Sequence, residues 1–240
     1  MTSFLLHATF DVLAWLAAAA AAIWVTRVGR VGFPVPEPLR LGYIAALLLG
    51  AALGAYLFGS ANLWLSGQPG LARSIEGAVV GGIAAIEIYK HIAGIITRTG
   101  ARFALPFCVG VAVGRIGCFL SGLDDFTHGT PTTLPWGHDF GDGIARHPVQ
   151  LYESAAMALF AVVYVSRVVN GSRFWIDQGF YLAVGFYGLQ RFVWEFVKPY
   201  GALFGPFTLF HLLSAAILAY AVIMIATAPK PERTDERAFA

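Results

Sequence analysis

Charge is scarce in this chain. Asp, Glu, Lys and Arg make up 12% of its 240 residues, about half the share of a soluble domain. Hydrophobic residues make up 58% and the mean hydropathy is +0.68, which excludes a soluble globular class and points to an integral membrane protein. The formal charge is only +2, so there is no footprint for nucleic acid. Cysteine is limited to Cys108 and Cys118. Ten positions along one helix separate them by ~15 Å, too far for a disulfide, and no CxxC or zinc spacing is present. No Lys or Arg precedes the first apolar stretch, whereas Arg27 and Arg30 follow it. That layout predicts a retained helix rather than a cleaved signal peptide.

Long apolar runs are what the chain has in plenty. Seven segments reach the ~20 residues a span requires, at about 5–26, 40–58, 75–95, 103–121, 149–168, 178–197 and 207–227. The third and sixth are the least clean, holding Glu76, Glu87, Tyr89 and Lys90, and Arg191 and Glu195. Basic residues divide unequally between the two sets of connections. Eleven (Arg27, Arg30, Arg40, Lys90, Arg98, Arg102, Arg167, Arg173, Lys230, Arg233, Arg237) fall on one side and three (Arg73, Arg146, Lys198) on the other. Because positive loops stay in the cytoplasm, the expected fold is an all-α integral membrane bundle of seven transmembrane helices, N-terminus outside and C-terminus cytoplasmic. Residues 1–228 are expected to form one polytopic domain with an outward loop at 122–147, and 229–240 a disordered cytoplasmic tail. Glycine pairs at 50/54, 77/81 and 110/114 have the small-xxx-small spacing of close helix packing. No internal repeat is visible.

Charges at membrane depth are costly and mark function by default. Arg115 interrupts an apolar run in GRIGCFLSGLDDF and shares a helix face with Cys118, with Gly114 and Gly117 leaving room beside it. It reads either as an arginine snorkelling to the outer interface beside Asp124 or Asp125, or as an anion site, since guanidinium offers a fixed fork of donors to phosphate. In YGLQRFVWEFVK, Tyr187, Arg191 and Glu195 recur every four residues, either as a buried Arg–Glu pair or as a second arm on the same anion. Glu76 is a helix-cap or ion-pair carboxylate or a desolvated general base. Glu87 is an ion-pair partner of Lys90. The loop histidines His128, His138 and His147 are ten and nine residues apart, which fits no metal pattern, so no metal site is expected. Trp136 and Phe140 suit headgroup depth. Gln150, Tyr152 and Glu153 follow Pro148, a good first-turn residue, as interface capping or as part of a site.

These pieces, in this order, resemble one family. GRIGCFLSG resembles the GRxGNFxNGE signature of prolipoprotein diacylglyceryl transferases, RHPVQLYES their RHPSQLYE, and YGLQRFVWEFVK their YGxxRFxxEFxR. SIEGAVVGG lies where that family has an HGG segment. The resemblance spans roughly residues 73–215. It implies transfer of a diacylglyceryl group from phosphatidylglycerol or a related phospholipid to a lipobox cysteine thiol of a prolipoprotein, with release of glycerol 1-phosphate and no metal, nucleotide or other cofactor. It also implies a bacterial cytoplasmic (inner) membrane location. Arg115 and Arg191 would grip the phosphate, Glu76 or His147 would handle the proton, and Cys118, Ser121, Gln150, Tyr152, Glu153, Tyr187 and Glu195 would bind or brace the lipid. The chain departs from the pattern at several places. Cys118 and Ser121 replace the two signature asparagines and Leu123 the closing glutamate. Glu76 stands at or next to the place of the family histidine. His7 and Asp11 occupy the first span in place of an aromatic-Gly pair, Lys198 replaces an arginine, and His211 a glutamine. Two alternatives stay open: a non-catalytic or differently specific lipid-binding paralogue, and a small-anion transporter.

Overall fold

The computed structural model describes residues 3–29 and 31–229. Arg30 and most of the expected tail, residues 230–240, lie outside the described residues. Seven long helices follow one another: α1 Ser3–Arg27, α2 Arg40–Leu65, α3 Ile75–Ala93, α4 Ala104–Ser121, α5 Val149–Val169, α6 Arg173–Glu195 and α7 Leu209–Ala226. Two small antiparallel pairs decorate one end. β1 His138–Asp139 pairs with β2 Ala145–Arg146, and β3 Ala202–Phe204 with β4 Phe207–Thr208.

Among the described residues, five stretches are long and apolar enough to cross a membrane: Leu5–Arg27, Glu37–Leu65, Ala101–Asp125, Val149–Val169 and Leu209–Ala226. The chain is therefore a mostly helical, multi-pass membrane protein. α3 and α6 fall outside that set. They hold the buried charged residues Glu76, Lys90, Arg191 and Glu195, and a side chain that must be paired inside the bundle lowers the hydropathy of its own helix. Large apolar side chains such as Leu16, Leu49, Leu53 and Val162 stand exposed on the outer faces, which is the surface a helix presents to lipid rather than to water.

Two helices differ in extent from the sequence expectation. α2 does not stop near Phe58, where the apolar run was expected to end, but continues to Leu65. The small and polar Gly59, Ser60 and Asn62 look like an ending in sequence, yet all three are buried. Ser60 Oγ takes the amide of Ala72 at 3.3 Å, so the connection to α3 packs back on this turn. α6 begins at Arg173, not 178, because Arg173 and Asp177 can project past the apolar layer without breaking the helix.

The pairs α2/α3, α1/α4, α6/α7 and α4/α5 make the main helix contacts. At α2/α3 the expected small-residue packing is realised. A Cβ on Gly54 would lie 2.2 Å from the Gly77 carbonyl oxygen, and one on Gly81 would lie 2.2 Å from that of Gly50. The third glycine pair behaves differently. A Cβ on Gly110 or Gly114 would make only ordinary contact with Ala18 or Ala14, while the tight position on α4 is Gly117, against Phe10 of α1. The space expected beside Arg115 at Gly117 is therefore filled by Phe10.

Helix polarity alternates. Contacts join the starts of α1, α3, α5 and α7 to the ends of α4 and α6: His7 meets Cys118, Glu76 and Glu153 both meet Arg191, and Thr208 meets Glu195. At the opposite end Arg98 ties the chain together, donating to Gln178 of α6 and to Thr227 just beyond α7. Glu87 pairs there with Lys90 as expected and also accepts from Tyr220.

Candidate active site

The catalytic candidates sit at the helix ends that carry the two β pairs. Ser74 caps α3, its hydroxyl accepting the Gly77 amide at 3.1 Å, which sets Glu76 in the first turn. Thr208 and His211 form a reciprocal capping box at the start of α7. The cap leaves Thr208 Oγ1 to donate to Glu195 Oε1 at 2.7 Å, so the His211 found in place of the family glutamine acts here through the helix cap.

The centre of the network is Glu153, fully buried at the start of α5. One of its oxygens pairs with Arg115 Nε of α4, and the other with Arg191 Nη1 of α6 at 2.5 Å and Lys198 Nζ at 3.0 Å. Arg191 is further held by Glu76 Oε2 at 3.1 Å and Glu195 Oε2 at 3.0 Å. Glu76 Oε1 accepts from Ser214 of α7 at 2.6 Å. Three carboxylates thus face three cations, and breaking one partner of such a set would leave an uncompensated buried charge. Lys198, just past the end of α6, is pushed down to about 8 by burial and by Arg191, against the pull of Glu153. Tyr200 is held well above the usual phenol range by burial and by Glu195, so it remains a hydroxyl donor.

Beside this network lies a cavity of about 790 Å³ whose wall includes Arg115, Arg191, Cys118 and Ser121 together with His7 and Tyr200. The two arginines come from different helices and share this space. They differ in how they are held. All three guanidinium nitrogens of Arg191 face carboxylates. Arg115 turns Nη1 toward Cys118 Sγ at 3.9 Å. Its Nε pairs with Glu153. A second cavity of about 600 Å³ adjoins the first and is mainly apolar, with Leu47, Val79, Ile83 and Phe107 in its wall. Asp11, Trp15, Ile75, Ala78 and Gly114 line both.

Other expected site residues are placed outside the cavity wall. Glu76, Glu153 and Glu195 reach it through the arginines they hold. Tyr187 is buried with its ring 5.3 Å edge-on to Phe107. Gln150 reaches the wall indirectly, donating to Thr127 at 3.3 Å. His147 and Tyr152 form a separate group by the outer loop, with Tyr152 OH 3.5 Å from His147 Nδ1 and accepting from Trp136 Nε1 at 2.9 Å. The structure therefore brings neither expected proton acceptor, Glu76 or His147, to the cavity wall. His128 and His138 pack in an aromatic group with Phe119, Phe126 and Phe140. Phe140 thus turns toward the protein, while Trp136 stays exposed.

The far wall of the cavity joins residues that are distant in sequence. His7 Nε2 lies 3.1 Å from Asp125 Oδ1 and 3.9 Å from Cys118 Sγ. His7 Nδ1 is 3.2 Å from Asp11 Oδ2, and these groups include a His, Cys and Asp set able to hold a metal ion. Asp125 is brought there by the short 3-10 turn Gly122–Asp125 and by Phe126, whose φ of +49° is the only positive value at a non-glycine among the described residues. Left-handed backbone costs a non-glycine residue about 1–2 kcal/mol, so the turn is imposed by its surroundings. The departure of His7 and Asp11 from the family pattern was the one available signal.

Comparison with known proteins identifies the family of the chain. The family model for prolipoprotein diacylglyceryl transferase matches residues 10–227. A phosphatidylglycerol–prolipoprotein diacylglyceryl transferase of Geobacter sulfurreducens is 31% identical over 219 residues, covering 81% of this chain and 80% of its own. Proteins of the same name from Methylococcus capsulatus (30% over 233 residues, 87% and 86%) and Methylocella silvestris (32% over 234 residues, 89% and 82%) are similar to the same extent. No solved structure matches significantly. The chain belongs to the prolipoprotein diacylglyceryl transferase family.

Proposed function

We propose that this protein transfers the diacylglyceryl group of phosphatidylglycerol to the lipobox cysteine of a prolipoprotein, releasing glycerol 1-phosphate. The observation that carries the reading is the pair of adjoining cavities, one with the guanidinium groups of Arg73, Arg115 and Arg191 in its wall and one mainly apolar. A phospholipid has that same division. Its phosphate would lie against Arg115, with Arg191 in the same wall, and its acyl chains would run past Ala78 into the apolar space.

The reaction forms a C–S bond between the acceptor sulfur and the glycerol carbon that bears the phosphate. The C–O bond at that carbon breaks, and the electron pair leaves on the phosphate oxygen. Preorganised cations at the developing charge are the main source of rate in such a step. Arg115 is the better placed of the two, since Arg191 is saturated by Glu76, Glu153 and Glu195. Those carboxylates act by positioning Arg191 and Arg115, and Gln150 through Thr127 supports the wall. The residues at 1–228 act as one polytopic domain with seven crossings, α3 and α6 included. The N-terminus is outside, the C-terminus cytoplasmic, and the protein resides in a bacterial inner membrane. The loop at 122–147 then lies on the face where a secreted prolipoprotein arrives.

Protein reconstituted with phosphatidylglycerol and a lipobox peptide should add diacylglyceryl mass to the peptide cysteine and release glycerol phosphate. Arg115→Ala should lower the rate at least about a hundredfold, the scale seen for losing one charge-stabilising donor. Transfer unaffected by that change would remove Arg115 from the mechanism. Glycerol phosphate release with no peptide product would favour the reading of a family member with a different acceptor, which Cys118 at the signature-Asn position supports.

A further inference from the structure

The transferase reading leaves one chemical demand unmet. The acceptor thiol must lose its proton, and neither Glu76 nor His147 lines the cavity. Three other side chains converge there. Gly117 lets Phe10 settle against α4, which lays His7, one turn earlier on α1, over Cys118. The turn after α4 returns Asp125 to the same point. The ligand atoms of His7, Cys118 and Asp125 all lie within 4.8 Å of one another, and all three residues line the 790 Å³ cavity.

Two of the three donor separations come close to those around a small tetrahedral ion. Ordinary zinc–sulfur, zinc–nitrogen and zinc–oxygen distances place S and N about 3.6 Å apart and N and O about 3.4 Å apart. The corresponding separations here are 3.9 Å and 3.1 Å. A thiolate, an imidazole and a carboxylate suit zinc and its neighbours, not magnesium or calcium. Asp11 on the other ring nitrogen of His7 is the carboxylate that orients a metal-binding histidine, and Arg73 Nη2 at 3.3 Å holds Asp11 in turn. Three protein donors leave a fourth position open, as catalytic sites do.

We propose that His7, Cys118 and Asp125 bind a divalent transition-metal ion of the zinc class, and that its open position takes the acceptor thiol. The second half of this proposal rests on the transferase reading; the first does not. A coordinated thiol gives up its proton outright, here to water. The metal-bound sulfur then forms the C–S bond as the C–O bond breaks, the electron pair leaves with glycerol phosphate beside Arg115, and no group is oxidised or reduced. The sequence pointed away from metal because the loop histidines were the visible candidates. His7 is 111 residues from Cys118 and meets it only in the fold.

The full chain, purified in lipid nanodiscs and loaded with zinc or cobalt(II), should retain about one ion per chain after dialysis, measured by elemental analysis. The cobalt form should show thiolate-to-metal charge-transfer absorption. Cys118→Ser and His7→Ala should lose that absorption and bind at least about tenfold more weakly, and Asp11→Asn, which keeps all three ligands, about tenfold to a hundredfold more weakly. Cys108→Ser should bind as the parent does. Thermal unfolding of each variant controls for folding. Adding lipobox peptide should increase the charge-transfer band, and a peptide with Ser in place of its Cys should not. No metal retained by the parent, or equal retention by folded Cys118→Ser, overturns the site. A site that ignores the thiol peptide, or transfer that proceeds equally in metal-stripped protein, overturns the thiol role while leaving the transferase reading intact. Metal and peptide binding without transfer would instead sink the transferase reading and leave the site standing.

Discussion

Lys198 illustrates how much one residue can tune this site. Its ammonium is lowered to about 8 from an ordinary lysine value of 10.5. Between those values the unfolded chain binds the proton and the folded one does not, so stability should rise as pH climbs through that window and the buried charge weighs against the fold below it. Function should respond in the opposite sense. Once Lys198 is neutral, Glu153 is balanced by Arg115 and Arg191 alone, and both are drawn harder onto its carboxylate and away from a phosphate. KM for phosphatidylglycerol should therefore rise severalfold above about pH 8. Lys198→Arg, which stays charged, should flatten the profile; a KM that is level from about pH 7 to about pH 10 in the unsubstituted protein would refute this role.

At the scale of elements, the bundle depends on how closely α2 and α3 approach. Gly50, Gly54, Gly77 and Gly81 stack backbone on backbone, with hypothetical Cβ atoms at 2.2–2.6 Å from their neighbours. Gly81→Val must separate the two helices and should cost about 1–3 kcal/mol, the usual effect of overpacking, lowering the unfolding midpoint in nanodiscs. Gly110→Ala, whose added methyl would meet Ala18 Cβ at 3.7 Å, should be close to neutral. The contrast separates glycines that the packing requires from glycines that merely share the spacing. α3 also carries Glu76, so a shifted α3 should weaken transfer as well as stability.

For the whole molecule, the decisive property is that polar chemistry gathers at one end of an apolar bundle. The basic residues Arg27, Arg40, Arg98, Arg102, Arg167 and Arg173 mark the other end. The proposed orientation predicts that a cysteine at the exposed loop position Thr133 is labelled by a membrane-impermeant maleimide in intact cells. One at exposed Thr97 should react only after permeabilisation. Native Cys108 and Cys118 are buried and set a low background, read in the unsubstituted protein. The reverse labelling pattern would invert the topology and put the site on the wrong side for a secreted acceptor.

Composition alone determined that the chain is a membrane protein, because 58% hydrophobic residues with 12% charged ones have no soluble arrangement. Hydropathy runs located the seven helices, most of them within two residues at each end, since a long apolar run is a local property of the sequence. The spacing of Arg115 and Cys118 foretold a shared helix face, as i, i+3 neighbours must. What only tertiary structure decided is which groups meet across helices. Glu153 bridging Arg115, Arg191 and Lys198, the withdrawal of Glu76 behind Arg191, and His7 coming to lie over Cys118 all join residues from separate segments. Buried charge demands a partner, but in a bundle of seven helices the identity of that partner follows from helix packing, and no periodicity within one segment encodes it.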